Sequence, residues 1–133
     1  MAITNGNAEL VLSLLSIPGF RICNCAFASW EDLETITILS TIVSIGDYAF
    51  SCLSQLKEVI FESPSSVETI GSYAFAYTRS LKKISLPSSM SVIEDSTFEE
   101  SKSLEEVIIP SSVTKHLNFV IERNSNSIKC NNN

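Results

Sequence analysis

Histidine is almost missing from this chain. His116 stands alone among 133 residues, so a multi-histidine metal site or a His-paired nucleophile is excluded unless it is built on that one side chain. The sequence also lacks G-x-x-x-x-G-K-[ST], G-x-S-x-G and H-E-x-x-H, which removes the phosphate-cradling loop, the nucleophile elbow and the zinc-protease helix. No enzymatic activity, cofactor or metal is expected. Basic residues are scarce as well: 9 Lys and Arg face 15 Asp and Glu, for a net charge of −6. Nucleic-acid affinity depends on clustered cations that release counterions, so that partner class is not expected.

Long apolar runs are missing too. The longest stretch, Leu10 to Phe20, is interrupted by Ser13, Ser16 and Pro18-Gly19 and falls short of the roughly 18 apolar residues that a bilayer span needs. Residues 1–9 hold Glu9 and no Lys or Arg, so the basic start of a secretory signal is absent. Cysteines are few. Cys23, Cys25, Cys52 and Cys130 show neither C-x-x-C spacing nor the density of a disulfide scaffold. The two-residue step from Cys23 to Cys25 suits neither a strain-free disulfide nor a common zinc knuckle, and buried or incidental thiols are expected.

What the chain does have is a repeat. Phe27, Phe50, Phe75 and Phe98 are separated by 23, 25 and 23 residues. The same rhythm carries Ile22, Ile45, Ile70 and Ile93; Leu33, Leu56, Leu81 and Leu104; Ile36, Val59, Ile84 and Val107; and Ile38, Phe61, Leu86 and Ile109. A small-residue column, Ala26, Ala49, Ala74 and Thr97, follows it too. The longer step comes from two extra residues, Glu62 and Ser63, after which Pro64-Ser65-Ser66 matches Pro87-Ser88-Ser89 and Pro110-Ser111-Ser112. Turn chemistry accounts for the Ser-Ser pairs. Three segments follow: residues 1–21 with a half repeat in which Leu12, Leu15 and Ile17 mimic Leu33, Ile36 and Ile38; four repeats at 22–44, 45–69, 70–92 and 93–115; and 116–133, a worn repeat with His116 in the Ile column and an Asn-rich, disordered tail.

Within a repeat, L-x-x-[IV]-x-[ILF] alternates apolar and outward residues at period two and predicts short strands at 33–38, 56–61, 81–86 and 104–109. Strands that return only after a crossover of this length run parallel. Ile45, Ala49, Phe50 and Leu53 make a helix-like stripe, and Asn24, Asp47, Ser72 and Asp95 are residue types that cap helix N-termini, so a short helix is expected from each. One repeat cannot bury its own apolar face, and stability requires stacking. The fold class is α/β, a leucine-rich-repeat solenoid with parallel strands on a concave face and short helices or turns on the convex side.

The unit I-G-D-Y-A-F-S-C-L-S-Q-L-K-E-V-I-F at 45–61, echoed by I-G-S-Y-A-F-A-Y-T-R-S-L-K-K-I-S-L-P at 70–87, resembles the BspA-like (Treponema-type) leucine-rich repeat. The likeness is close over 22–115 and weaker over 10–21. The family's usual Cys three residues after Phe is replaced by Trp30, Leu53, Thr78 and Ser101, with Cys52 one place early; a shift in helix packing is expected from that. The resemblance implies a cell-surface or secreted adhesion or surface-antigen protein that binds matrix or host proteins.

The outward strand residues Thr35, Thr37, Glu58, Ile60, Lys83, Ser85, Glu106 and Ile108 would line the concave face and are the candidate protein-binding site. Ile60 and Ile108 would be apolar anchors among charges, and Glu58, Lys83 and Glu106 would alternate in sign on neighbouring rungs. Tyr48 and Tyr73, at equivalent positions on the other side, offer a second contact surface. The reading is a non-catalytic protein-interaction or adhesion module. Its alternatives are a structural protein that self-associates through open solenoid ends and, as a minor one, a thiol-dependent enzyme using Cys23 and Cys25.

Overall fold

The computed structural model describes residues 2–5, 9–12 and 19–116. Eleven strands follow in order: β1 (Ala2–Asn5), β2 (Glu9–Leu12), β3 (Phe20–Ile22), β4 (Thr35–Ile38), β5 (Ile42–Ile45), β6 (Glu58–Phe61), β7 (Thr69–Ile70), β8 (Lys83–Ser85), β9 (Val92–Ile93), β10 (Glu106–Ile108) and β11 (Lys115–His116). They build about four stacked coils of a parallel β-solenoid.

Each coil has three sides. The L-x-x-[IV]-x-[ILF] segments supply the concave side, where β-branched pairs such as Thr35-Ile36 and Thr37-Ile38 favour an extended chain. β4 and β6 pair parallel with Ile36 opposite Val59, and β8 and β10 pair with Ile84 opposite Val107. A second side, invisible in the repeat pattern, is the five-stranded parallel sheet β3-β5-β7-β9-β11. Ile22, Ile45, Ile70, Ile93 and His116 fall in register there. Its approach buries a further column, Ile42, Val67 and Met90, with Val113 half-buried against the same core.

The third side departs from the helix expected there. No helix starts at Asn24, Asp47, Ser72 or Asp95; among the described residues the chain forms stacked turns instead. The N–H groups of Tyr48, Phe50 and Cys52 donate to the carbonyls of Ser72, Ala74 and Ala76 in the next coil, at 3.1, 2.9 and 2.8 Å. A helix would spend those N–H groups on its own axis. Each coil bends twice through left-handed residues: Cys25 and Ser29, Tyr48 and Cys52, Tyr73 and Tyr77, Ser96 and Glu100, with φ between 53° and 61°. The expected helix caps act between coils: Asn24 Oδ1 accepts from the Asp47 amide (2.8 Å) and Asp47 Oδ1 from the Ser72 amide (2.9 Å).

The core is a set of columns running along the solenoid. Phe27, Phe50, Phe75 and Phe98 stack with centroid spacings of 5.4, 5.4 and 5.9 Å, inside the range at which offset aromatic pairs attract. In the column where the family places Cys, no helix is present to shift. Leu53, Thr78 and Ser101 are buried, and the Thr78 and Ser101 hydroxyls both reach the Phe75 carbonyl, at 2.8 and 2.9 Å. Buried polar atoms partnered in this way cost the fold little.

At the N-terminal end, β1 and β2 form an antiparallel hairpin, and β2 continues the concave sheet with Leu10 opposite Ile36. That register is not the one suggested by the match of Leu12, Leu15 and Ile17 to Leu33, Ile36 and Ile38. Residues 13–18 lie outside the described residues, as do 117–133, including Cys130 and the Asn-rich tail.

Candidate protein-binding face

The eight candidate residues occupy the outward positions of β4, β6, β8 and β10. Thr35 lies opposite Glu58 and Thr37 opposite Ile60; Lys83 lies opposite Glu106 and Ser85 opposite Ile108. Their inward neighbours Ile36, Val59, Ile84 and Val107 are all buried, so strand alternation alone fixes the outward set. Ile60 is 41% exposed, one of three exposed large apolar side chains among the described residues, the others being Tyr48 and Tyr77. Ile108 is only half-buried and is the weaker anchor.

The sign-alternating ladder forms in one half only. Lys83 Nζ sits 3.7 Å from Glu106 Oε1, whereas among the described residues Glu58 has no ion-pair partner. The reason is a seam. β6 ends the sheet β1-β2-β4-β6, and β8 pairs only with β10. The two-residue insertion that distinguishes this coil sits at the end of β6, where the Ser63-Pro64 peptide is cis and the Val67 amide turns to Ser65 Oγ (3.2 Å); in the neighbouring coil the Met90 amide bonds the Pro87 carbonyl (3.1 Å). A 520 Å³ cavity lies along the seam, lined by Lys57, Glu58, Val59, Lys83 and Ser85. A second, of 390 Å³, lies between the insertion and the Pro87-Ser88-Ser89 turn.

Glu62, the first inserted residue, ties the loop to coil 1. Its carboxylate accepts from the Ser40 amide at 2.9 Å, and that backbone bond, with a further one from the Ser40 side chain, holds its pKa below the ordinary glutamate value. On the turn side Tyr48 and Tyr73 stack face to face, with centroids 4.9 Å apart and planes at 2°. Cys23, Cys25 and Cys52 are free and exposed rather than buried, because the turn positions they occupy point away from the Phe column. Among the described residues no cluster of His, Cys, Asp and Glu fit for a metal is present, and no helix is long and apolar enough to cross a membrane.

The BspA type leucine rich repeat region matches residues 15–131 in 6 copies. The chain belongs to the BspA-type leucine-rich-repeat family. Solved structures of similar fold include a leucine rich cell surface protein from Faecalibacterium prausnitzii, at 26% identity and TM-score 0.67, over 96% of this chain and 40% of that one. A leucine-rich repeat protein from Eubacterium ventriosum aligns at 21% identity and TM-score 0.68, over 99% and 41%. A pneumococcal vaccine antigen aligns at 19% identity and TM-score 0.59, over 87% and 46%. This chain thus spans less than half the length of each of these three relatives. No curated protein matches it.

Proposed function

We propose that this BspA-type solenoid is a non-catalytic protein-binding module of a surface protein, using the concave face. One observation carries the reading: Ile60, exposed at 41%, stands opposite Thr37 and two residues along β6 from Glu58, which lines the 520 Å³ cavity. An apolar anchor in a polar setting, next to a concavity, is the anatomy of an interface core with its rim. The likeness to a cell surface protein and a vaccine antigen supports a surface or secreted location, and the family resemblance implies a host or matrix protein as partner.

The test is a triple variant, Glu58→Lys, Ile60→Asp and Lys83→Glu, measured by surface plasmon resonance against partners captured from a matrix-protein panel. Affinity should fall by about a hundredfold, the loss of one interface hot spot, while Tyr48→Ser on the turn side leaves it unchanged. Full affinity in the triple variant, or loss confined to Tyr48→Ser, overturns the reading. A second reading, self-association through the solenoid end, is favoured by β10 standing at the end of its sheet among the described residues. Light scattering that shows a monomer at all accessible concentrations rules it out.

A further inference from the structure

The rim where the turn stack runs into the concave strands changes sign along the solenoid. Coil 1 is acidic there, with Glu31, Asp32 and Glu34; coil 4 carries Glu105 together with Lys102, whose ammonium is paired with Glu100 at 3.1 Å. Between them, Lys57, Arg79 and Lys82 occupy the same stretch of coils 2 and 3. They converge on a 440 Å³ cavity whose lining is completed by Ser80 and Ser103. Every lining residue is a cation or a hydroxyl, in a chain of net charge −6.

We infer that this cavity binds a single tetrahedral oxyanion, a sulfate or phosphate group carried by a ligand. Lys57 already shares its charge with Glu34, at 3.0 Å. Arg79 and Lys82 have no ion-pair partner among the described residues, so two cations stand uncompensated beside each other. An arginine fork matches two oxygens of a tetrahedral anion, and a lysine adds a mobile point charge. The Ser80 hydroxyl is committed to the Ser54 carbonyl at 2.6 Å and holds the cavity's shape. Ser103 is half-buried, and among the described residues its hydroxyl has no committed partner. The acidic flanks set the size of the ligand: a polyanion extending beyond the cavity would place its next charges against Glu31, Asp32 and Glu34 on one side or Glu105 on the other. One anionic group fits; a charged polymer does not. This site is separate from the concave-face proposal and stands or falls without it.

The experiment is an NMR titration of the isotopically labelled full chain with sodium sulfate and, separately, sodium phosphate, with chloride holding ionic strength constant. Saturable shifts are expected at the Arg79 side-chain N–H and at the amides of Ser80 and Lys82, with millimolar affinity. Arg79→Ala with Lys82→Ala should weaken binding by about tenfold or more, the loss of charge-assisted hydrogen bonds. Lys83→Ala, which touches the concave face and Glu106, should change it by less than about twofold. Phosphate gaining on sulfate as rising pH gives it its second charge assigns a phosphorylated group; parity across that range assigns a sulfated one. Shifts that never saturate, or that persist in the double variant, overturn the proposal, as does a heparin oligosaccharide binding about a hundredfold tighter than sulfate with a steep salt dependence. If the double variant fails to fold, Arg79→Gln alone provides the same reading.

Discussion

Gly46 and Gly71 each sit directly over the side chain of the coil before. A Cβ on Gly71 would lie 2.6 Å from the Asp47 amide nitrogen and would also meet Asp47 Oδ1; one on Gly46 would lie 2.6 Å from the Asn24 nitrogen. Those side chains are not free to retreat, because Asn24 Oδ1 and Asp47 Oδ1 accept amides of the following coil. The equivalent position in coil 4 is Glu94, and the residue beneath it is the shorter Ser72. Glycine here clears the backbone of the preceding coil and, beyond that, is a size match to its Asn or Asp side chain. Gly71→Ala is expected to cost about 2 kcal/mol as overpacking. Asp47→Ser should recover part of that loss, so that a urea double-mutant cycle shows a coupling of about 1 kcal/mol or more; strictly additive costs refute the size match. The left-handed turn residues give a second prediction. Cys52, at φ 59° and exposed, places a Cβ where an L-residue pays roughly 1–2 kcal/mol. Cys52→Asn should raise the urea midpoint and Cys52→Val lower it, since asparagine tolerates this region and β-branched residues do not. Equal midpoints would show that the turn conformation relaxes freely.

At the scale of elements, the loop after β6 is held by one titrating contact. Glu62 has a lowered folded pKa because Ser40 donates to its carboxylate. The stabilisation is therefore fully present above the unfolded glutamate value of about 4.3 and disappears as pH falls through the lowered folded value. Glu62→Gln should remove that part of the acid sensitivity, so wild type and variant should converge in stability on acidification. Parallel pH profiles from chemical denaturation would contradict the contact. The concave strands were legible in the residues because Thr35-Ile36-Thr37-Ile38 and its counterparts alternate at period two and recur in register. The second sheet was not: Thr69–Ile70 and Val92–Ile93 are too short to carry a period. The turn stack was misread because the spacing of Ile45, Ala49, Phe50 and Leu53 fits successive four-residue turns as well as a 3.6-residue helix. Of the candidate face, strand alternation fixed which side chains point outward. It could not show that Glu58 and Lys83 are divided by a seam, nor that Arg79 meets Lys57 from the neighbouring coil.

The seam governs the molecule as a whole. The second sheet runs unbroken through the inserted coil, with Thr69 opposite both Ser44 and Val92, so the coils are joined continuously on that side. On the concave side the junction of β6 and β8 lacks a ladder. The amides of Glu58 and Glu62 point to β4, donating to Glu34 and Ile38 at 3.2 and 2.8 Å; strand alternation then turns the Val59 backbone groups toward β8. The Leu86 amide bonds Ile108 at 3.0 Å, which places Ile84 toward β10 and leaves Lys83 and Ser85 facing β6. Two rows of backbone donors and acceptors thus meet across the 520 Å³ cavity without a ladder to pair them. A solenoid zipped on one side and open on the other bends most easily there, and the proposed binding face straddles that joint. Hydrogen exchange should find the amides of Val59, Lys83 and Ser85 about a hundredfold less protected than those of Ile84 and Ile108, which point into the β8–β10 pair. Deleting Glu62 and Ser63 restores the 23-residue step and should bring the three amides up to the protection of their neighbours. If they are already protected in the wild-type chain, or if the deletion leaves their exchange unchanged, the insertion is not what holds the seam open.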